Sequence, residues 1–337
     1  MSPTGTLLLT RRDVAELLSL EECIAAVEEA FRLHARGKSL PPGILGVPAE
    51  EGGFHIKAAG LRDAGGGAGD RTWFAVKVNG NFFRNRERFG MPNIQGIVLL
   101  CDGGNGYPLA LLDSIEITIL RTGAATAVAA RHLARKDSKT ATVSGCGNQG
   151  RVQLAALARV LPLERAFAFD TDAARAEEFA REMTGRLGIG VVAVRDLPSA
   201  TLQSDVCVTC TPSRLPYLGA GDIRPGTFVA AVGSDSAEKQ ELDPRLLASS
   251  KVVVDALEQC AEIGELHHAI DAGMMDRSGV HAELAQILSG EKPGRVSAEE
   301  IVVFDSTGTA LQDVAAAAAV YEKALAAGRG RILDFAG

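Results

Sequence analysis

Three glycines stand in Gly145-Cys146-Gly147-Asn148-Gln149-Gly150, directly after the apolar run "TATVS" and directly before "RVQLAAL". Glycines at this spacing permit a tight strand-to-helix turn and a close backbone approach to a pyrophosphate. The N–H groups and dipole of the following helix favour its negative charge. The next apolar run, "RAFAFD", ends at Asp170, about twenty residues on, where a carboxylate binds a ribose 2′-hydroxyl and repels a 2′-phosphate. Gly145, Gly147 and Asp170 therefore predict a dinucleotide site that favours NAD(H) over NADP(H). Arg175, on the following helix, weighs the other way.

Polar residues also follow three later apolar runs. "DVCV" leads to Thr209 and Thr211, "FVAAV" to Gly233, Ser234 and Asp235, and "IVVF" to Asp305, Ser306, Thr307 and Gly308. In a parallel α/β sheet the ligand lies beyond the carboxyl ends of the strands. These ends, with Val232 at the close of its run, are the expected floor of a nicotinamide site. A carboxylate there can take a proton from an amine while hydride leaves the neighbouring carbon. That makes Asp235 more than a charge in a loop. "CVTC", Cys207 to Cys210, has redox or zinc spacing, but no second pair stands near it and its β-branched surroundings read as strand core.

The elements that must carry these residues change character along the chain. The first third reads as two helices capped by Thr10 and by Ser19 with Glu22, the second ending at Gly37. "LPPGILGVP" breaks helix, "GGFHIKAAG" and "WFAVKVNGNF" alternate like strands, and "RDAGGGAGDR" joins them as a flexible connection. "QGIVLLCDGGNGYPLALLDS" predicts a hairpin, and Ile117 to Ala134 a long helix with Arg121 and Thr122 in its first turns. From Ser138 on, seven apolar runs alternate with helical stretches, the pattern of a doubly wound parallel sheet. An Ala-rich helix closes the chain and suits packing back across the first domain. The net charge of −7 argues against a nucleic-acid partner. No apolar run approaches the roughly eighteen residues of a membrane span. Scattered cysteines and an N-terminus without signal-peptide character predict a reduced, cytoplasmic protein.

The runs "FAVKVNGN", "DSIEITILRTGAATAVAARHLAR", "SGCGNQGRVQL", "AVGSDSAEKQEL" and "FDSTGTALQD" together resemble the ornithine cyclodeaminase/mu-crystallin family over nearly the whole chain. The resemblance implies an α/β fold with a Rossmann-type NAD-binding domain, residues 121–310. It implies a smaller α+β substrate-binding and dimerisation domain from residues 1–120 and 311–337, and a homodimer. It implies Asp235 as the acid/base of catalysis, with Lys77 and Arg121 on the substrate carboxylate and Thr307 beside the substrate. Asn93, Arg121, Thr122, Asn148, Gln149, Asp170, Thr211, Gly233, Lys239 and Ser306 resemble cofactor contacts.

One departure bears on the substrate. Many members carry an arginine after the Pro-rich turn, where this chain has Gly43, and the strand that follows holds His55 and Lys57. Lys57 suits an anionic group better than the distal ammonium of ornithine. His55 and Lys57 are therefore candidate substrate contacts; an edge-strand pair facing water is the plain alternative, with Arg71 and Arg84 as other cations. Three readings follow: a dehydrogenase or reductase of a small α-amino or α-imino acid, ornithine cyclodeaminase itself, and a non-enzymatic ligand binder. His267 and His268, in "GELHHAI", read as helix residues rather than metal ligands.

Overall fold

The computed structural model describes residues 5–62 and 71–334, so most of the connection "RDAGGGAGDR" lies outside the described residues. The chain divides into two compact units, Met1–Arg121 with Thr309–Gly337, and Thr122–Gly308.

The described part of the first unit holds a sheet of strands β1 (Thr6–Leu9), β2 (Ser39–Ala49), β3 (Gly52–Arg62), β4 (Thr72–Asn81), β5 (Ile94–Asp102) and β6 (Pro108–Asp113), with the C-terminal strand Arg331–Leu333 beside β1. β2 to β6 pair antiparallel in sequence order, with β2 at the edge. The helices Leu20–Ala35 and Ala310–Ala327 pack on each other, and the latter also packs on β3, β4 and β5. The capping boxes at Thr10 with Asp13 and at Ser19 with Glu22 are formed. "LPPGILGVP" is not a mere helix breaker. It lies within an eleven-residue strand. Pro41 and Pro42 sit at a register shift between Leu40 and Gly43, and an edge strand has one side free of ladder bonds, so the missing N–H groups cost little there.

Period-two alternation sorts β4 cleanly: Trp73, Ala75, Lys77, Asn79 and Asn81 are buried while their neighbours are half-buried. Across the ladder Ile44, Lys57, Lys77 and Val98 form one row, and Leu45, Ile56, Val78 and Ile97 form the next, on the opposite face. The helix that follows β6 begins at Ser114, three residues before the expected start. Asp113 accepts the N–H groups of Ile115 and Glu116 through Oδ1, both at 3.0 Å, and so caps it early. Arg121 consequently stands about one turn deeper in the helix than a start at Ile117 implies.

In the second unit all seven expected runs are strands: β7 (Thr140–Ser144), β8 (Arg165–Phe169), β9 (Gly190–Ala193), β10 (Val206–Thr209), β11 (Phe228–Ala231), β12 (Lys251–Val254) and β14 (Val302–Asp305), joined by a short β13 (Ala282–Glu283). The order β13-β12-β14-β11-β10-β7-β8-β9 is parallel throughout. The chain leaves β7 towards β8 and β9, then returns to the other side of β7 with β10. That reversal is the switch point at which a doubly wound sheet opens a crevice. Cys207 is buried in the core of β10 with Val229, Val252 and Val303. No helix among the described residues is long and apolar enough to cross a membrane.

Candidate active site

The turn after β7 is built around its glycines. Gly145 has φ +104°, and a Cβ there would come within 2.8 Å of the Cys210 carbonyl. A Cβ on Gly150 would overlap the Gly145 carbonyl, so only glycine lets the helix Asn148–Ala158 start this close to its strand. Gly147 is the N-cap, open space surrounds it, and no side chain caps the helix. Its first N–H groups are therefore available to an anion. Gln149 Oε1 is buried there with no hydrogen-bond partner. Asp170 is held at the end of β8, where it accepts the N–H of Cys146 at 2.9 Å and of Asp172 at 3.0 Å. A cavity of about 860 Å³ opens on this turn, with Gly145, Asp170, Arg175, Arg195, Thr211 and Tyr217 in its wall. Free helix amides, a fixed carboxylate and a cavity of this size fit a dinucleotide.

The other strand ends of this unit are tied by buried carboxylates. Thr209 and Ala231 are level in the ladder, as are Ala231 and Asp305. Beyond them Thr211 and Gly233 both bond to Glu241. Val232 donates its N–H to Thr209, and Ser234 is buried with its hydroxyl on the Lys239 carbonyl at 2.6 Å. Asp235 is half-exposed and pairs with Lys239 at 2.5 Å. His268 lies on the helix Glu265–Asp271 and donates from Nε2 to the Lys239 carbonyl at 2.8 Å, which anchors the same turn. Asp255 gathers the last strand end, accepting from Ser306 Oγ at 3.0 Å, Thr307 Oγ1 at 3.1 Å and the Gly308 N–H at 2.7 Å. Thr122 is buried at the start of this unit.

The first unit holds a separate cluster. Lys77, Arg121 and Asp313 are all buried. Lys77 Nζ lies 2.9 Å from Asp313 Oδ1 and 2.8 Å from Oδ2. Arg121 Nε is 3.2 Å from Asp313 Oδ1 as a charge contact, and its Nη1 donates to Gln312 Oε1 at 3.0 Å. Two cations thus share one carboxylate. Burial, reinforced by Arg121, brings the Lys77 ammonium down to about 7, and Asp313 only partly offsets this. Burial works to raise the Asp313 carboxyl, but Lys77 and Arg121 outweigh it and hold the pKa below the usual range. Lys57, opposite Lys77 in the ladder, is buried and also lowers the Lys77 pKa. β3 is an internal strand, so Lys57 and His55, half-buried on the same face, are not an edge pair facing water. Asn93 accepts the Arg86 N–H at 3.0 Å in the β4–β5 connection. Arg71 stacks on Trp73, and Arg84 is an exposed partner of Glu51.

A sequence model of the ornithine cyclodeaminase/mu-crystallin family matches residues 4–328. The chain belongs to that family. Among its relatives is an alanine dehydrogenase of Archaeoglobus fulgidus, 38% identical over 330 residues that cover 98% of each chain. The structure of an archaeal alanine dehydrogenase dimer with bound NAD is similar at TM-score 0.92 and 38% identity, over 98% of this chain and 99% of that one. The Δ1-pyrroline-2-carboxylate reductase of Thermococcus litoralis, in complex with NADH and L-proline, is similar at TM-score 0.91 and 37% identity, over 97% and 100%.

Within this member of the ornithine cyclodeaminase/mu-crystallin family, three buried acids escaped the sequence reading: Asp313, Glu241 and Asp255. Asp313 did carry a signal, a lone acid in "TALQDVAAAAAV", where a charge on an otherwise apolar helix calls for a buried partner. Asp255 stands just past an apolar run and Glu241 in a polar loop beyond another, where loop polarity hides them.

Proposed function

We propose that this chain is an NAD(H)-dependent oxidoreductase acting at the α-carbon of a small α-amino or α-imino acid, in the manner of an alanine dehydrogenase or an imine reductase. The observation that carries the reading is the buried cluster in which Lys77 and Arg121 share Asp313. A site with more positive than negative charge, away from water, suits a substrate carboxylate. A nicotinamide, when bound, supplies the hydride acceptor or donor. Asn148, Gln149 and the glycine turn hold the pyrophosphate of the cofactor, Asp170 its ribose, and Thr209, Thr211, Gly233 and Ser306 the strand-end floor. Asp235 takes a proton from the substrate ammonium and frees the lone pair that closes the C=N bond as hydride leaves the α-carbon. In the reductive direction it returns that proton. Lys239, paired with Asp235, orients its carboxylate for both transfers.

The Lys57 ammonium beside Lys77 disfavours a substrate with a distal ammonium, which supports this reading over ornithine cyclisation. The fixed Asp170 carboxylate supports NAD over NADP, to be tested by the ratio of NADH and NADPH dissociation constants. The row Leu45, Ile56, Val78 and Ile97 lies on the sheet face opposite Lys77, with Leu45 56% and Ile97 50% exposed. An apolar face of this kind supports a homodimer.

The deciding experiment is a substrate panel followed by NADH oxidation: keto acids with ammonia or methylamine, cyclic imines and imino diacids. Turnover of at least one supports the reading. Closure of ornithine to proline with no net NADH, and no reduction of the panel, makes the chain a cyclodeaminase. Tight NADH binding with no reaction at all makes it a binder.

A further inference from the structure

Glu241 is fully buried in the second unit and takes no part in the reaction proposed above. Its carboxylate stands where three segments meet. Oε1 accepts the Thr211 N–H at 2.6 Å, the Thr211 hydroxyl at 2.7 Å and the Tyr217 hydroxyl at 2.8 Å. Oε2 accepts the Gly233 N–H at 2.9 Å. The backbone of the same residue is fixed as well. Its carbonyl accepts the N–H groups of Tyr217 at 2.9 Å and Leu218 at 3.2 Å, and its own N–H is donated to Glu265 Oε1 at 2.7 Å.

The two amides on this carboxylate have a particular place. β10 and β11 are in register at Thr209 and Ala231. The last ladder bond between them runs from the Val232 N–H to the Thr209 carbonyl. Thr211 and Gly233 are the next pair outward, past the end of the sheet, where nothing in the ladder keeps the two chains together. Glu241 bridges them. A Cβ on Gly233 would overlap its carboxylate and come within 2.5 Å of the Thr211 carbonyl, so the bridge also explains the glycine. Asp235 follows Gly233 by two residues, and the Asp235 N–H bonds back to the Gly233 carbonyl at 3.2 Å. Both oxygens face N–H donors, which an amide cannot match: a glutamine must turn its own NH₂ towards Thr211 or Gly233. Burial pushes the Glu241 carboxyl up, and the Thr211 donors oppose this.

We propose that Glu241 is a positioning residue of the hydride-transfer site, whose carboxylate ties the Gly233 turn to Thr211 and so sets where Asp235 presents its oxygens. The role rests on the reaction proposed above. It predicts energetic coupling between the two residues, since Glu241 acts only through the placement of Asp235.

The test is a double-mutant cycle of Glu241→Gln and Asp235→Asn in the full chain loaded with NADH, read as single-turnover rate per NADH-binding site. Glu241→Gln is expected to lose roughly 10²-fold, the scale of a 1 Å misplacement. In the Asp235→Asn background it is expected to lose almost nothing further. Equal losses in both backgrounds, or a loss that vanishes on normalising to NADH sites, overturn the proposal. If Glu241→Gln does not fold, Glu241→Asp, which keeps the charge but is too short to reach both amides, carries the same cycle. Wild-type protein that binds NADH and turns over no substrate overturns the reaction itself. The tether is then judged by amide hydrogen exchange: lost protection confined to Thr211, Gly233 and Ser234 in the variant supports it, and unchanged protection there overturns it.

Discussion

Substrate binding is expected to take up a proton at mildly alkaline pH, through Lys77. Burial and the neighbouring Arg121 bring the Lys77 ammonium down to about 7. A carboxylate arriving beside it adds the negative charge the cluster lacks and raises that pKa, so the complex holds Lys77 protonated. At pH 8, one unit above the free value, roughly nine-tenths of free Lys77 is neutral, and binding must supply roughly 0.9 proton. At pH 6 the uptake falls to about 0.1 proton by the same relation. Affinity then drops about 50-fold between pH 7 and 9, or about 2.3 kcal/mol, the slope approaching tenfold per pH unit. An unreactive carboxylate, such as a keto acid without ammonia, isolates the effect from the substrate amine. Titration calorimetry of the NADH-loaded protein in two buffers of different ionisation heat counts the protons directly. Lys77→Arg keeps the charge at every pH and is expected to abolish the uptake and flatten the affinity profile. Uptake near zero in the wild type at pH 8, or equal uptake in Lys77→Arg, would refute the placement of the carboxylate at Lys77.

Asp235→Asn is expected to bind NADH as the wild type does and to lose about 10² to 10⁴ in turnover, because an amide cannot accept the proton; fluorescence titration and steady-state kinetics check the two halves. Leu45→Glu, on the outward apolar face, is expected to convert a dimer to monomers in light scattering while leaving the far-ultraviolet circular dichroism unchanged.

The second unit was the more legible half. Seven of its strands stand where apolar runs alternate with helical stretches, because a strand covered on both faces must be apolar along its length. The glycine turn was equally plain, since Gly145 and Gly150 occupy positions no other residue fits. Lys77 was visible as a cation within a strand pattern, and the structure buries it on the alternating face. The pairing of Lys57 with Lys77 was not visible: cross-strand register depends on how two strands meet, and local sequence does not specify that. The strand β2 was hidden by three prolines that an edge position and a register shift tolerate. Arg121 lies about one turn deeper in its helix than the sequence suggests, because Asp113, which caps the helix, also ends the hairpin strand β6. Asp313, Glu241 and Asp255 stayed hidden for a common reason: a buried acid is defined by the donors that surround it, and those come from distant parts of the chain.

Hydride transfer to the α-carbon can be followed atom by atom. The most direct measurement uses NADH carrying deuterium at the transferring C4 position, with pyruvate plus ammonia or a cyclic α-imino acid as acceptor. The expected product is an amino acid one mass unit heavier, with its deuterium located at the α-carbon by NMR. A product whose α-hydrogen comes from solvent, or deuterium left wholly on the nicotinamide with no amino acid formed, would contradict it.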